Sequence, residues 1–494
     1  MLTLLAAAAP GPVQPRPKLF ALVVGNNQPE SASSPELKFA DDDALALHHL
    51  LLEAGARSVL LARLDDQTRA LHPGEVPSSP PSKEALSSAW ERLRAELLAL
   101  AASGQAVELL LFFSGHGDIS EGEGYLALEG GRLTRSTLQA MLAASPARRN
   151  HVVIDACKAY FAVLGKGPGG SRAPYPGPFA TRAAPSLNSG FVLSTSSDGD
   201  SHEWERYQAG IFSFEVRSGL RGSADVNGDG RVTYGELGGF LERANAGIIN
   251  TRFRPDFLVV PPGGSAAGLD EAVLSWPVDS AALELDTTSH LYVETRTGDR
   301  LLEVNAGASQ AFLLHLPGER PLFIRDASER QERILEGAVR TRLSALPTSR
   351  PSVTGKGALH VAFSQLFSRP FDASAVESFA LEFALQRRAE PTQHDVRVDL
   401  RAAAPFVAGG AALVMFGGIA VGLERSNVNA QTSQRERGLR NDGIAAANVT
   451  IGVAGGVAAA ALGGWLILAL TSPAAPVEVA VLPGAGSLAV VGRW

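Results

Sequence analysis

Two short apolar runs, residues 109–113 (LLLFF) and 152–154 (VVI), limit this chain more than any other feature. Neither alternates with polar residues, so each predicts a strand buried on both faces, as in the middle of a parallel sheet covered by helices. Reactive side chains follow at once: Ser114-Gly115-His116-Gly117 after the first run, Asp155-Ala156-Cys157 after the second. In an open α/β sheet ligands sit beyond the carboxyl ends of strands, so a His and a Cys at two such ends would face one cleft. The alternative is a buried thiol and a turn imidazole that never meet.

The pairing carries chemistry. A free cysteine is mostly thiol at neutral pH, and an adjacent imidazole that takes or stabilises its proton makes it a nucleophile. His116 would then return a proton to the leaving amine. Glycines around His116 let a substrate approach the backbone, and the N–H groups of Gly117 and Cys157 are the candidate oxyanion donors.

Strand–SGHG followed by strand–DxC resembles the caspase-like cysteine peptidases (clan CD), above all their metacaspase-like and bacterial members, over residues 18–246. The resemblance implies an α/β fold, a caspase-like parallel-sheet sandwich with helices on both faces, and a cysteine-type endopeptidase acting on proteins or peptides. It also implies that Asp155 and Asp43 are carboxylates of the pocket for the residue before the scissile bond. Two such carboxylates favour Arg or Lys there. The alternative roles are a backbone hydrogen bond for Asp155 and a solvated helix start for Asp43. After the nucleophile many metacaspase-like members continue Cys-His-Ser; this chain has Cys157-Lys158-Ala159-Tyr160. A catalytically silent caspase-like scaffold that binds Ca²⁺ and partner proteins is the rival reading, and a soluble regulator assembling through an apolar hairpin is a third.

The flanking pattern agrees with such a sheet. Residues 19–24 (LFALVV) and 58–61 read as strands. Leu37, Ala40, Ala44, Leu47 and Leu51 fall at helical spacing before Gly55, a helix terminator. Ser82 caps a helix over 83–102 striped by Leu86, Trp90, Leu93, Leu97 and Leu100. Residues 124–128 read as a hairpin arm and 134–144 as a helix. The Gly/Pro-rich stretch 161–189 carries Lys166, Arg172 and Arg182 and reads as a mobile loop or a self-cleavage segment. His202, in the acidic stretch after the strand 190–194, competes weakly for the role of base.

Residues 225–236 read DVNGDGRVTYGE. Asp225, Asn227, Asp229, Thr233 and Glu236 stand at positions one, three, five, nine and twelve, with Gly230 at six and the Arg231 carbonyl at seven. That is the Ca²⁺-loop pattern of EF-hands, between expected helices at 211–221 and 235–246. Ca²⁺ is thus the one expected cofactor, and its rival is a turn-rich connection needing no ion.

A caspase-like domain at 18–250 would be followed by a linker at 251–279 and a small β-rich domain at 280–400, with a helix over 375–389. Residues 402–423 and 443–470 contain no charged residue and are long enough to span a bilayer as a helical hairpin. Between them, 424–442 carries Arg425, Arg435, Arg437 and Arg440, and a tail follows at 471–494. The alternative is a buried helical hairpin. The Arg-bearing loop prefers the cytoplasmic side, which would place the peptidase on the exported side. Met1–Pro17 reads as the end of a secretory signal without its charged start, or as a disordered arm, or as a start placed too late. A net charge of −7 gives no bulk attraction to nucleic acid. A single cysteine excludes an intrachain disulfide framework without fixing the compartment. Nothing in the pattern specifies an oligomeric state.

Overall fold

The computed structural model describes residues 16–30, 36–156, 188–194, 203–204, 209–248, 254–307, 312–327, 330–337, 340–351, 365–389, 478–481 and 488–491. The apolar run after Lys18 forms β1 (Lys18–Asn26), buried from its second residue onward. Then come α1 (Ala40–Glu53), β2 (Arg57–Ala62), the short α2 (Asp66–Leu71), α3 (Lys83–Ala102) and β3 (Val107–Gly115). The helix boundaries have local causes. The Ser82 hydroxyl accepts from Ala85 N–H at the start of α3, and Gly55, at φ +80°, supplies the left-handed residue just past α1.

A three-stranded hairpin unit, β4 (Gly117–Ser120), β5 (Glu123–Leu128) and β6 (Gly131–Thr134), leads into α4 (Arg135–Ala143) and β7 (Arg149–Asp155). Further on lie β8 (Ser189–Ser194), the paired β9 (Glu203–Trp204) and β10 (Ala209–Gly210), α5 (Ile211–Ser218), β11 (Arg231–Thr233), α6 (Tyr234–Asn245), β12 (Phe257–Val260) and β13 (Ala272–Ser275).

Six strands form the central sheet in the order β12-β8-β7-β3-β1-β2. β2, β1, β3, β7 and β8 run parallel, and β12 is an antiparallel edge. Alternation along the strands sends side chains to two cores. Phe20, Leu22, Val24, Leu109, Leu111, Phe113, Val152 and Ile154 pack with Leu86, Trp90, Leu93 and Leu97 of α3 and with Leu138 and Leu142 of α4. Ala21, Val23, Leu110, Phe112 and Val153 pack with α1, α5 and α6 on the other face. The expected two-sided parallel sheet is therefore present.

The stretch 251–279 differs from the linker expected of it. Its Pro and Gly residues bracket the run FLVV, which pairs with β8 from Phe257↔Ser194 to Val260↔Phe191. β13 pairs with β11, Val232 opposite Leu274. Proline at strand ends is compatible with an edge strand, so a composition that suggests a linker also suits a sheet edge.

Beyond it, β14 (Ala282–Leu285), β15 (Ser289–Glu294), β16 (Arg300–Ala306), β17 (Phe312–His315), β18 (Leu322–Asp326), β19 (Glu332–Leu335) and β20 (Thr341–Arg342) make two sheets, β17-β14-β20 and β16-β15-β18-β19. This is the expected β-rich region, but it has no core of its own. Leu283, Val293, Val304 and Leu314 belong to the same buried cluster as α1, α5 and α6. α7 (Ala373–Ala389), close to the helix expected at 375–389, packs against that cluster through Val376, Phe379 and Phe383.

Residues 1–390 form one unit and 391–494 a second; in the second, 478–481 and 488–491 make an antiparallel hairpin. Among the described residues no helix is long and apolar enough to cross a membrane. The expected spans 402–423 and 443–470 and the Arg-bearing loop 424–442 lie outside the described residues, as do the tail 471–494 apart from its hairpin, residues 1–15 of the signal segment, and His202.

One buried side chain contributes a pH-dependent term to stability. His151 on β7 is 1 % exposed, and its Nδ1 lies 2.8 Å from the Tyr234 hydroxyl. Burial pushes its pKa down to about 4. The unfolded chain takes up this proton near pH 6.5 and the folded chain only near 4, so His151 stabilises the fold above that window and loses the contribution as pH falls through it. The expected loss is about 3 kcal/mol. Buried carboxyls with raised pKa values, Asp42 among them, act in the opposite sense over this range, so the His151 contribution is read as the difference between wild type and His151→Gln in chemical denaturation from pH 7 to 4.

Candidate active site

The register of β3 against β7 builds the site. Ser114 pairs with Asp155, so the two motifs leave adjacent parallel strands from the same level of the same rim. His116 follows Ser114 by two residues and Cys157 follows Asp155 by two. Cys157 lies outside the described residues, where the chain is described as far as Ala156, 4 % exposed.

His116 stands between β3 and β4, half-buried. Its backbone is fixed by a chain of hydrogen bonds. Ala127 N–H donates to His116 O at 2.9 Å, and Asn26 Nδ2, at the end of β1, donates to Ala127 O at 2.9 Å. Gly115 is required by close approach, since a Cβ there would lie 2.9 Å from Asn26 O. Gly117, the expected oxyanion donor, begins β4 beside this anchored backbone.

The two expected pocket carboxylates meet at Gly210. A Cβ added to Gly210 would lie 2.8 Å from Asp155 Oδ2 and 3.0 Å from Asp43 Oδ2, so both acids close on the start of α5. Asp43 is 1 % exposed and is not the solvated helix start of the alternative reading. Its Oδ2 accepts from Gly210 N–H at 3.0 Å and from Ser114 Oγ at 3.3 Å. Asp155 Oδ2 accepts from Ser213 N–H at 3.1 Å and Ser213 Oγ at 2.7 Å, with a further hydrogen bond to Ser194. The backbone role considered for Asp155 is therefore real, and it orients the carboxylate at the same time.

Four residues of this arrangement were not anticipated: Ser114, Gly210, Ser213 and Arg217. Arg217, on α5, brings Nη2 to 3.7 Å from Asp43 Oδ1 with its side chain 8 % exposed. Neither Asp43 Oδ1 nor Arg217 Nε has a hydrogen-bond partner among the described residues. Burial lifts the Asp43 carboxyl well above the usual carboxylate range, opposed by Arg217 and reinforced by Asp155. Burial also raises Asp155, against its serine hydrogen bonds, and lowers Arg217. Neighbouring Asp42 is pushed up to about 8 by burial and then by Asp41. A buried cluster with incompletely paired charge suits a site that receives a further charge.

Filling the gap between the acids should be costly. Gly210→Ala keeps an accessible backbone conformation, φ −61° and ψ 137°, yet drives its methyl into both carboxylates. We expect turnover of basic substrates to fall on the order of 10²-fold, the effect of displacing a positioning group by about 1 Å. Circular dichroism should remain that of the wild type.

A cavity of about 520 Å³ lies elsewhere, lined by Gln28, Glu30, Arg63, Leu128 and Glu129 among others. Neither His116 nor the two acids border it.

The mostly parallel sheet with helices on both faces is a mixed α/β, caspase-like fold. The caspase-domain family model matches residues 18–230. Among solved structures, pro-sf-caspase-1 is 15% identical, with a TM-score of 0.23, over 39% of this chain and 69% of that one. Caspase-1 from Spodoptera frugiperda is 14% identical, with a TM-score of 0.24, over 41% and 67%. These scores carry no geometry across. A search of curated proteins returns no match.

Proposed function

We propose that this chain is a cysteine-type endopeptidase that cleaves after Arg or Lys, with Cys157 as nucleophile and His116 as the base that takes its proton and passes it to the leaving amine. Gly117 N–H and Cys157 N–H stabilise the oxyanion. The observation that carries the reading is the convergence of Asp43 and Asp155 on Gly210, with Asp155 paired to Ser114, two residues before His116, inside the stretch that matches the caspase-domain model. Two carboxylates facing one guanidinium leave net negative charge at the pocket floor, which selects a basic side chain. Because Arg217 already offsets Asp43, Asp155 supplies the larger share of the attraction.

Anchoring by 402–423 and 443–470, with the peptidase domain exported, belongs to the same proposal and rests on the two uncharged apolar stretches. Extraction from membranes by detergent but not by carbonate or high salt tests it. The activity itself is tested by a fluorogenic peptide panel varying only the residue before the cleaved bond. Turnover of Arg and Lys peptides with Asp and Leu peptides inert supports the reading, and cleavage after Asp alone rejects it.

A further inference from the structure

The connection from α5 to α6 is curled around its own oxygens. Asp225, 1 % exposed, accepts from Asp229 N–H at 3.1 Å and Gly230 N–H at 2.8 Å. Asn227 Oδ1 accepts from Asp229 N–H at 2.9 Å, and Asp229 Oδ1 from Arg231 N–H at 2.8 Å. At the far end Glu236, 4 % exposed, caps α6, its Oε2 taking the N–H and the hydroxyl of Thr233, each at 2.9 Å.

Its second oxygen is the telling atom. Glu236 Oε1 is buried and, among the described residues, accepts no hydrogen bond, and it closes the same twelve-residue stretch that Asp225 opens. A buried carboxylate oxygen without a donor is a position that a cation would stabilise.

We propose that residues 225–236 bind one Ca²⁺ through Asp225, Asn227, Asp229, the Arg231 carbonyl and Glu236. Among the described residues no three His, Cys, Asp or Glu side chains already converge on a metal position. Three carboxylates on one short loop repel one another, and a bound cation would offset that repulsion. An all-oxygen set on a flexible loop suits Ca²⁺ over Mg²⁺, which demands a tighter octahedron and sheds water reluctantly.

The loop is tied to the active-site strand. Gly230 O accepts from Trp276 N–H at 2.8 Å, and Tyr234 N–H donates to Glu271 O at 3.0 Å. The Tyr234 ring stacks on His151, with centroids 5.8 Å apart, and its hydroxyl meets His151 Nδ1. His151 lies on β7, four residues before Asp155. An ion that fixes Glu236 therefore fixes the start of α6, and through Tyr234 braces the strand that carries the pocket acid.

The test uses the full chain and does not depend on peptidase turnover. Tb³⁺ is added and its emission excited through Trp276 and Tyr234, then Ca²⁺ or Mg²⁺ is titrated in, with thermal unfolding followed in parallel. Two variants leave the local hydrogen bonds available: Asp229→Asn at an exposed position, and Glu236→Gln, whose amide oxygen can still cap Thr233. We expect sensitised emission displaced by Ca²⁺ and not by equal Mg²⁺, a Tm raised by Ca²⁺, and at least about tenfold weaker Ca²⁺ binding in each variant. Absence of emission, displacement by Mg²⁺ as readily as by Ca²⁺, or variants binding like the wild type would overturn the assignment.

Discussion

Cys157→Ala is expected to abolish peptide hydrolysis, and His116→Ala to lower kcat by on the order of 10²- to 10⁴-fold, the range contributed by a positioned general base. The two losses should not add, because a nucleophile and its base act as a unit. Thermal unfolding should stay near the wild-type Tm in His116→Ala, since a half-buried residue at a strand end supports little of either core. The measurement is single-turnover kinetics on an Arg peptide, with Cys157→Ala, His116→Ala and the double variant side by side. A His116→Ala enzyme within about threefold of wild type would remove the imidazole from the mechanism.

Asp155→Asn is expected to cost basic substrates about 2–5 kcal/mol of transition-state binding, roughly 30- to several-thousand-fold in kcat/KM, as for a desolvated charge pair that loses one member. The loss should fall mainly on KM. Asn keeps an oxygen to accept from Ser213 N–H and Oγ, so the start of α5 should stay in place and only the charge is removed. Asp43→Asn should cost less, because Arg217 already opposes that carboxylate. The pH dependence follows from the same groups. Burial raises both acids above the ordinary carboxylate range, so each takes up a proton at a higher pH than an exposed aspartate. As pH falls, kcat/KM for Arg peptides should therefore decline earlier than for a neutral peptide, and Asp155→Asn should reduce the difference. The discriminating readout is the ratio of Arg to neutral-peptide kcat/KM across pH.

Much of this was legible in the residues. The strands that build the sheet are runs without polar interruption, and α3 carries an apolar stripe with its own cap, Ser82. His116, Asp155 and Asp43 could be read because each stands next to such an element. Gly210, Ser213 and Arg217 could not, since they reach the site only when α5 packs across the strand ends from far along the chain. A partial signal was present: Glu215 and Arg217 interrupt the apolar series Ile211, Phe212, Phe214 and Val216, and charges inside a fully buried helix need partners. Both have a counterpart, Asn245 for Glu215 and Asp43 for Arg217. β12 escaped because its flanking prolines and glycines resemble those of a linker. The merging of the β-rich region into the first core escaped because alternation along a strand says which face is apolar and not what covers it.

The chain has one cysteine, so thiol chemistry reports on Cys157 alone, and the rate of its alkylation by iodoacetamide as a function of pH tests the His116–Cys157 pair most directly. The account predicts a midpoint well below the ordinary thiol value of about 8.5 in the wild type, moved up toward that value in His116→Ala together with loss of turnover. A wild-type midpoint near 8.5 that His116→Ala leaves unchanged would contradict it.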